Sequence, residues 1–450
     1  MAVISTVLVI QYIGRDREYR RLLAAGDQAV RSGDAYTAIE TLSGAITLRP
    51  DSMAAYFRRG QAYRAQHRQE EAVRDLRMAS RLAPDATEPL VALGELAGER
   101  GEHAAAAEWF GRAEERLQAE DPALLYALAL ARYRAGNPAG AVAPLRRAIP
   151  RRSSGGEAHY LLGLAYRDTN HTDDAIAALE EAVRIAPSLL AAREELAELY
   201  RLSGRAADEI AQLQALTALD PHTARRIALA MAETRDGRFD AALATLGTDT
   251  PAKPDESVIL LARGRVHLAR AERTGDRAAA KLALGSLEKA LGGTARRSEG
   301  LALYGRALFR SGDATAAERI LKEAVATSPV NIDAYAYLAD AAEQLKHTLD
   351  ARDALATLDA LEGDTASPSS RASRARRLGA LSLDGGDAAY AVRYLTDAVG
   401  GGENGPATLG LLAQAHLKAG DATAARDVLN RALTLAPTDP ALLRLARSIK

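Results

Sequence analysis

Cysteine is absent from the 450-residue chain, which excludes disulfides, thiolate metal sites and cysteine nucleophiles. Aromatic residues make up only 4%, with a single tryptophan, so alanine and leucine must build the core. Both are strong helix formers, and β-branched residues are sparse after the first dozen positions. An all-α fold follows before any motif is used. Lysine is scarce as well, with 7 against 51 arginines. Neither sign of charge dominates: the net charge is −1 with 26% charged residues, interspersed as on solvated helix faces. No basic run offers a nucleic-acid footprint, so nucleic acid is not an expected partner.

Catalytic and ligand-binding patterns are lacking too. Ser286-Leu287-Glu288-Lys289 spells S-x-x-K without a companion motif. The 8 histidines are scattered and form no H-x-x-x-H pair. Glu194 and Glu198 lie one helical turn apart and read as an acidic patch on a solvated face. The glycines from Gly400 to Gly405 lack the Gly-Lys-Ser/Thr ending of a phosphate loop and read as a linker. Neither a metal nor a cofactor is implied, and no enzymatic activity is expected.

Long hydrophobic runs are limited to one. Ala2 to Ile13 reads AVISTVLVIQYI, and Arg15, Arg17, Arg20 and Arg21 come directly after it. A helix of this length spans about 18 Å, short of a hydrocarbon core of roughly 30 Å. Three readings stay open: a short or truncated membrane anchor, a helix packed on the first repeat of the chain, or a signal segment. An anchor would give membrane association through residues 2–13, and the arginines behind it favour a cytoplasmic location for the rest. A soluble cytoplasmic or periplasmic chain is the alternative.

What is present is repetition. Met53 to Pro84 reads as two amphipathic helices around a polar turn at Gln66 to Gln69, with small residues Gly60 and Ala72 where the helices approach. The pattern recurs from Tyr19 to the end, with Gly26, Gly60 and Gly94 spaced 34 residues apart. It is clearest again around Gly163, Gly305 and Ala413, and weak in the sixth, seventh, eighth, tenth and eleventh units. Around Ala271 to Ala280 an insertion lengthens the helices or the turn. In the sixth unit Glu209 stands where most units carry alanine. The second helix of the third unit is expected to run on toward Asp121-Pro122. Pro150 to Gly156, Gly247 to Glu256 and Glu362 to Ser370 read as breaks or linkers.

This period with helix–turn–helix content resembles the tetratricopeptide repeat family. The resemblance implies a right-handed superhelical solenoid of about twelve repeats whose concave face is lined by the first helix of each pair. The expected layout is an apolar segment over 1–18, seven repeats over 19–246, a linker over 247–256, five repeats over 257–438 and a capping helix over 439–450. Counting from each packing glycine gives candidate groove residues: Phe57, Gln61 and Arg64; Tyr126, Tyr133 and Arg134; Tyr160 and Arg167; then Arg265, Arg306, Phe309 and Arg310. Aromatic rings and guanidinium forks suit an extended peptide or a partner helix. Some members of the family clamp acidic chaperone C-termini with Lys and Asn; here those positions hold Leu23, Asp27, Phe57 and Gln61, and the clamp is missing. The expected function is a non-catalytic scaffold for protein partners. The alternative is an accessory or regulatory subunit of an enzyme, such as a glycosyltransferase or polysaccharide-export machine.

Overall fold

The computed structural model describes residues 2–151, 156–247, 256–292, 297–327 and 331–449, with side chains from residue 11 onward except at Arg151, Arg297 and Asp364. Among these residues it is all helix and turn, with 25 α-helices and no strand. Two compact units part between Leu219 and Asp220.

The first unit, Met1–Leu219, holds six helix pairs. They are α1 (Ala2–Ser32) with α2 (Ala35–Leu48), α3 (Met53–Ala65) with α4 (Gln69–Leu82), and α5 (Glu88–Glu99) with α6 (His103–Glu114). Then come α7 (Pro122–Arg134) with α8 (Pro138–Ala148), α9 (Gly156–Asp168) with α10 (Thr172–Ile185), and α11 (Leu190–Leu202) with α12 (Ala206–Leu219). The second unit, Asp220–Lys450, holds six more pairs and a last helix. Its pairs are α13 (Thr223–Arg235) with α14 (Phe239–Leu246), α15 (Glu256–Thr274) with α16 (Arg277–Leu291), and α17 (Arg297–Ser311) with α18 (Ala314–Ala326). After them come α19 (Ile332–Gln344) with α20 (Thr348–Glu362), α21 (Pro368–Asp384) with α22 (Ala388–Gly400), α23 (Pro406–Lys418) with α24 (Ala422–Leu435), and α25 (Pro440–Ser448).

Why the chain turns where it does is visible at one position. The residue that ends each first helix adopts a left-handed backbone in all twelve pairs. It is glycine in nine, including Gly33, Gly136 and Gly420, and His67, Asn170 and Lys346 in the other three. The next N–H reaches back to close the helix, as in Asp34 N to Ala29 O at 2.9 Å and Arg68 N to Tyr63 O at 2.9 Å. Aspartate or asparagine then often caps the second helix; Asp313, for example, accepts from the Ala316 N–H at 2.9 Å. A left-handed backbone costs an L-residue roughly 1–2 kcal/mol, so His67→Gly and Lys346→Gly should each stabilise by about 0.5–1 kcal/mol after the added backbone entropy. Urea melts of the two variants check this.

Packing within a pair rests on glycine against leucine. A Cβ at Gly163 would stand 2.5 Å from Leu179 Cγ, and one at Gly305 2.5 Å from Leu321 Cγ. In the third pair Phe110 takes the leucine's place beside Gly94. Core clusters therefore recur along the chain, each joining a pair to the next first helix, as Leu145 joins Leu161 and Leu162. At the C-terminal end Leu442 of α25 packs in the core cluster of the last pair.

Several expectations are refined. The insertion of the eighth pair lengthens α15, which runs 19 residues before a short turn. Helix α6 does not run on to Pro122; it ends at Glu114, and Asp121 instead caps α7 by accepting from the Ala123 N–H at 2.8 Å. Glu209 is buried despite its charge. Glu362 to Ser370 is not a free linker, because α20 ends at Glu362 and α21 starts at Pro368, and Arg374 holds Glu362 at 2.7 Å. Residues 248–255 of the expected 247–256 linker, and 152–155 of the earlier break, lie outside the described residues.

The N-terminal run does not form a separate element. Helix α1 is continuous from Ala2 to Ser32, passing through the expected boundary at 18. It joins the first pair from Arg15 onward: Asp16 pairs with Arg49 at 2.5 Å, and Tyr19 Oη meets Ser52 Oγ at 2.7 Å. Among the described residues, no helix is long and apolar enough to cross a membrane.

Candidate partner-binding face

In both units first helices of successive pairs touch one another, as α1 with α3, α3 with α5, α7 with α9, α15 with α17 and α17 with α19. Second helices pack chiefly on the first helices at either side. Each unit thus presents a row of first helices, and the candidate residues stand on those rows.

On the first unit Phe57 is half-buried against Leu76 and Leu93, and Gln61 is half-buried nearby. Arg64 reaches across to α5, where Nη1 binds Glu95 at 2.5 Å and Nε binds Glu99 at 3.0 Å. Tyr126 and Tyr133 of α7 are half-buried against Leu161 and Leu162 of α9. The Tyr133 hydroxyl donates to Asp168 at 2.7 Å, and Arg134 is exposed. Arg167 holds Asp168 at 2.8 Å and also Glu195 on α11. Tyr160 packs against α10 and α11, and burial first, then Glu195, hold its phenol above the ordinary tyrosine range.

On the second unit Arg265 pairs with Glu299. Arg306, only 9% exposed, bonds Glu272 of α15 at 2.8 Å and Asp340 of α19 at 2.6 Å. It also lies over the rings of Phe309 and Tyr337, at 5.4 and 4.8 Å. Arg310 is exposed, 3.2 Å from Glu272. Arg377 continues the ladder to Asp340 at 2.9 Å and Glu343 at 2.8 Å.

Seven of the twelve candidate residues gather into two groups, with Arg134 and Arg265 outside them. In the first unit Tyr133 and Arg167 share Asp168, Arg167 and Tyr160 meet at Glu195, and Tyr126 packs in the same apolar cluster as Tyr133. In the second unit Arg306 and Arg310 share Glu272, and Arg306 lies over the Phe309 ring. Phe57, Gln61 and Arg64 form a smaller set two first helices before Tyr126. The carboxylate partners escape a reading that looks only for binding residues. Their signal is a charge one repeat away: Glu272, Arg306 and Asp340 are each 34 apart, and Arg64 is 35 from Glu99.

These contacts carry a pH effect. Burial first, and the bond to Asp168 second, push the Tyr133 phenol up to about 12. An unfolded tyrosine titrates near pH 10. The stabilisation is thus complete below about pH 10 and is lost as pH rises toward about 12. Tyr133→Phe should flatten that dependence, read from denaturation midpoints at about pH 9 and about pH 11.

Glu318, His347 and Asp350 are the group among the described residues that could hold a metal, with ligand atoms within 4.8 Å of one another. Lys322 already bonds Asp350 at 2.8 Å and Glu318 at 3.2 Å, so an ammonium supplies the cation there. The Ser286 hydroxyl of the S-x-x-K stretch donates to Leu282 O in its own helix.

Comparison with known proteins agrees with the geometry. Two models described as tetratricopeptide repeat match residues 23–87, 160–224 and 303–368, and 382–449, together more than half of the chain. The chain belongs to the tetratricopeptide repeat family. A model for subunit 3 of the anaphase-promoting complex, or cyclosome, matches residues 98–182 of the same repeat array. Among solved structures, the tetratricopeptide protein YrrB, described as having an unusual peptide-binding site, is 18% identical. It covers 42% of this chain and 96% of its own, with a TM-score of 0.39. The Cut9–Hcn1 hetero-tetramer is 15% identical over 98% of this chain and 91% of its own, with a TM-score of 0.34. A tetratricopeptide repeat protein from Parabacteroides merdae is 17% identical over 65% and 99%, with a TM-score of 0.38. No curated protein sequence matches the chain.

Proposed function

We propose that this tetratricopeptide repeat protein is a non-catalytic scaffold that seats an extended peptide or helix of a protein partner on the first-helix row of its first unit. The observation that supports this is the stripe formed by Tyr126, Tyr133 and Tyr160, half-buried on neighbouring first helices. Half-buried rings offer contact area with little side-chain entropy left to lose. The matching row of the second unit is tied together by its own ion pairs through Arg306.

Cross-linked affinity capture from the native host tests the reading. The intact chain is compared with the combined variant Tyr126→Ala, Tyr133→Ala and Tyr160→Ala, after equal helicity is established. A partner identified with the intact chain and reduced about ten-fold or more in the variant is the expected result. Equal recovery from both would move binding off this stripe.

Membrane association is a separate proposal. It is supported by the apolar sequence of Ala2 to Ile13 and by Tyr12 and Ile13, which are 70% and 44% exposed on α1. Because α1 is one helix with the first pair, contact would be made along the membrane surface. The intact chain should float with liposomes and a chain lacking residues 2–13 should not. Sedimentation of both would end that proposal.

A further inference from the structure

We infer that the first-helix row from α5 to α11 selects a basic partner segment, one that carries Lys or Arg beside apolar side chains. The inference rests on the scaffold reading and adds the chemistry of the partner.

Guanidinium forks alone would point to an acidic partner, but Arg64, which reaches from α3 to α5, and Arg167 of α9 are already occupied. Arg64 is shared by Glu95 and Glu99, and Arg167 by Asp168 and Glu195. Each cation is thus outnumbered by the carboxylates that hold it, and each set keeps a net negative charge. Further carboxylates lie along the same stripe. Glu194 and Glu198 of α11 are exposed, one turn apart, with Arg201 bonded to Glu198 at 2.7 Å. Glu157 lies one turn before Tyr160, and Glu88 one turn before Val91, both exposed. Against these stands the exposed Arg134 at the end of α7.

Between the carboxylates run Val91, Tyr126, Leu130, Tyr160 and Leu164, all half-buried. An apolar stripe bordered by excess negative charge complements a basic amphipathic segment. Its apolar side chains would cover the rings, and its ammonium or guanidinium groups would meet carboxylates that internal arginines only half neutralise. An acidic segment would face repulsion from these carboxylates, and it could gain Arg64 or Arg167 only by breaking two internal pairs, which leaves Arg134 and Arg201 as its accessible cations. The second unit shows the contrast: Glu272, Arg306, Asp340, Arg377 and Glu343 alternate in sign across four first helices.

The test uses the full chain and two fluorescein-labelled helical peptides, one with Leu and Lys and a counterpart with Glu in place of every Lys. Fluorescence anisotropy should show binding of the Lys peptide and none of the Glu peptide. Binding should weaken about ten-fold or more in the variant Glu157→Lys, Glu194→Lys and Glu198→Lys, and also with added salt. These positions are exposed, and an unchanged thermal melt shows that the variant folds. A Gln series at the same positions should give an intermediate loss. Binding of the Glu peptide, binding of neither, or Lys-peptide binding indifferent to the reversals would overturn the inference. The tyrosine-stripe capture experiment judges the scaffold reading independently, since it makes no assumption about charge.

Discussion

Arg59→Met should destabilise the first two repeats by about 3–5 kcal/mol. Arg59 stands on α3 and binds Asp75 of α4 through two bonds, at 2.6 and 2.9 Å. A third bond, at 3.0 Å, runs to Ser43 on α2 of the preceding pair. Asp75 is only 4% exposed, so removing the guanidinium leaves a buried carboxylate without its cation. That is the costly half of a buried pair: breaking it hurts far more than replacing both members. Arg59→Met with Asp75→Leu should therefore recover most of the loss, because the double variant leaves no buried charge unpaired and methionine keeps most of the apolar length of the arginine side chain. Since stability in a repeat array is local, the loss should appear as early exchange of amides in α2 to α4 while the second unit keeps its protection. Denaturant melts joined to hydrogen exchange read both effects. A single variant within about 0.5 kcal/mol of the parent would show that the pair does not hold these repeats together.

Glycine substitutions should have opposite signs at two kinds of helical site. At Gly163 a new Cβ falls 2.5 Å from Leu179 Cγ and 3.3 Å from the Ala175 carbonyl, and Leu179 is fully buried. Overpacking of that kind costs about 1–3 kcal/mol, only partly offset by the better helix propensity of alanine. Gly163→Val should cost more still, since it places two further carbons in the same gap. Gly285 is also inside a helix, but nothing lies within 4 Å of where its Cβ would be. There alanine gains about 0.5–1 kcal/mol. Equal effects at the two sites would mean that propensity rather than close approach governs these helices.

Those glycines also explain why the fold was so legible in the sequence. Gly26, Gly60, Gly94 and Gly163 each sit where a leucine or phenylalanine of the second helix crosses, so the repeat period is written in a residue that stands out. Turns were legible for a similar reason, since most carry glycine at the left-handed position. His67, Asn170 and Lys346 hide that signal and still adopt the same backbone. Helix ends were less readable. The end of α6 at Glu114 depends on a turn without glycine or proline at the stop, and helical periodicity drifts past it. The candidate site was legible by half. Offsets from the packing glycine reach residues on the first-helix rows, because position along a helix fixes direction. They do not say whether an arginine found there is already held by a neighbour. Arg64, Arg167 and Arg306 are all held by carboxylates on the next or the preceding first helix, and only the stacked structure brings those groups together.

Site-specific photocross-linking tests the scaffold account most directly. A benzophenone amino acid would replace Tyr126 or Tyr160 on the first-helix row, and Tyr36 as a control on α2, where the side chain is 74% exposed. After irradiation in the native host, Tyr126 and Tyr160 should give an adduct to the same protein, and Tyr36 should give none. An adduct at Tyr36 without one at Tyr126 or Tyr160, or no adduct at any of the three, would contradict the assignment of the partner to this face.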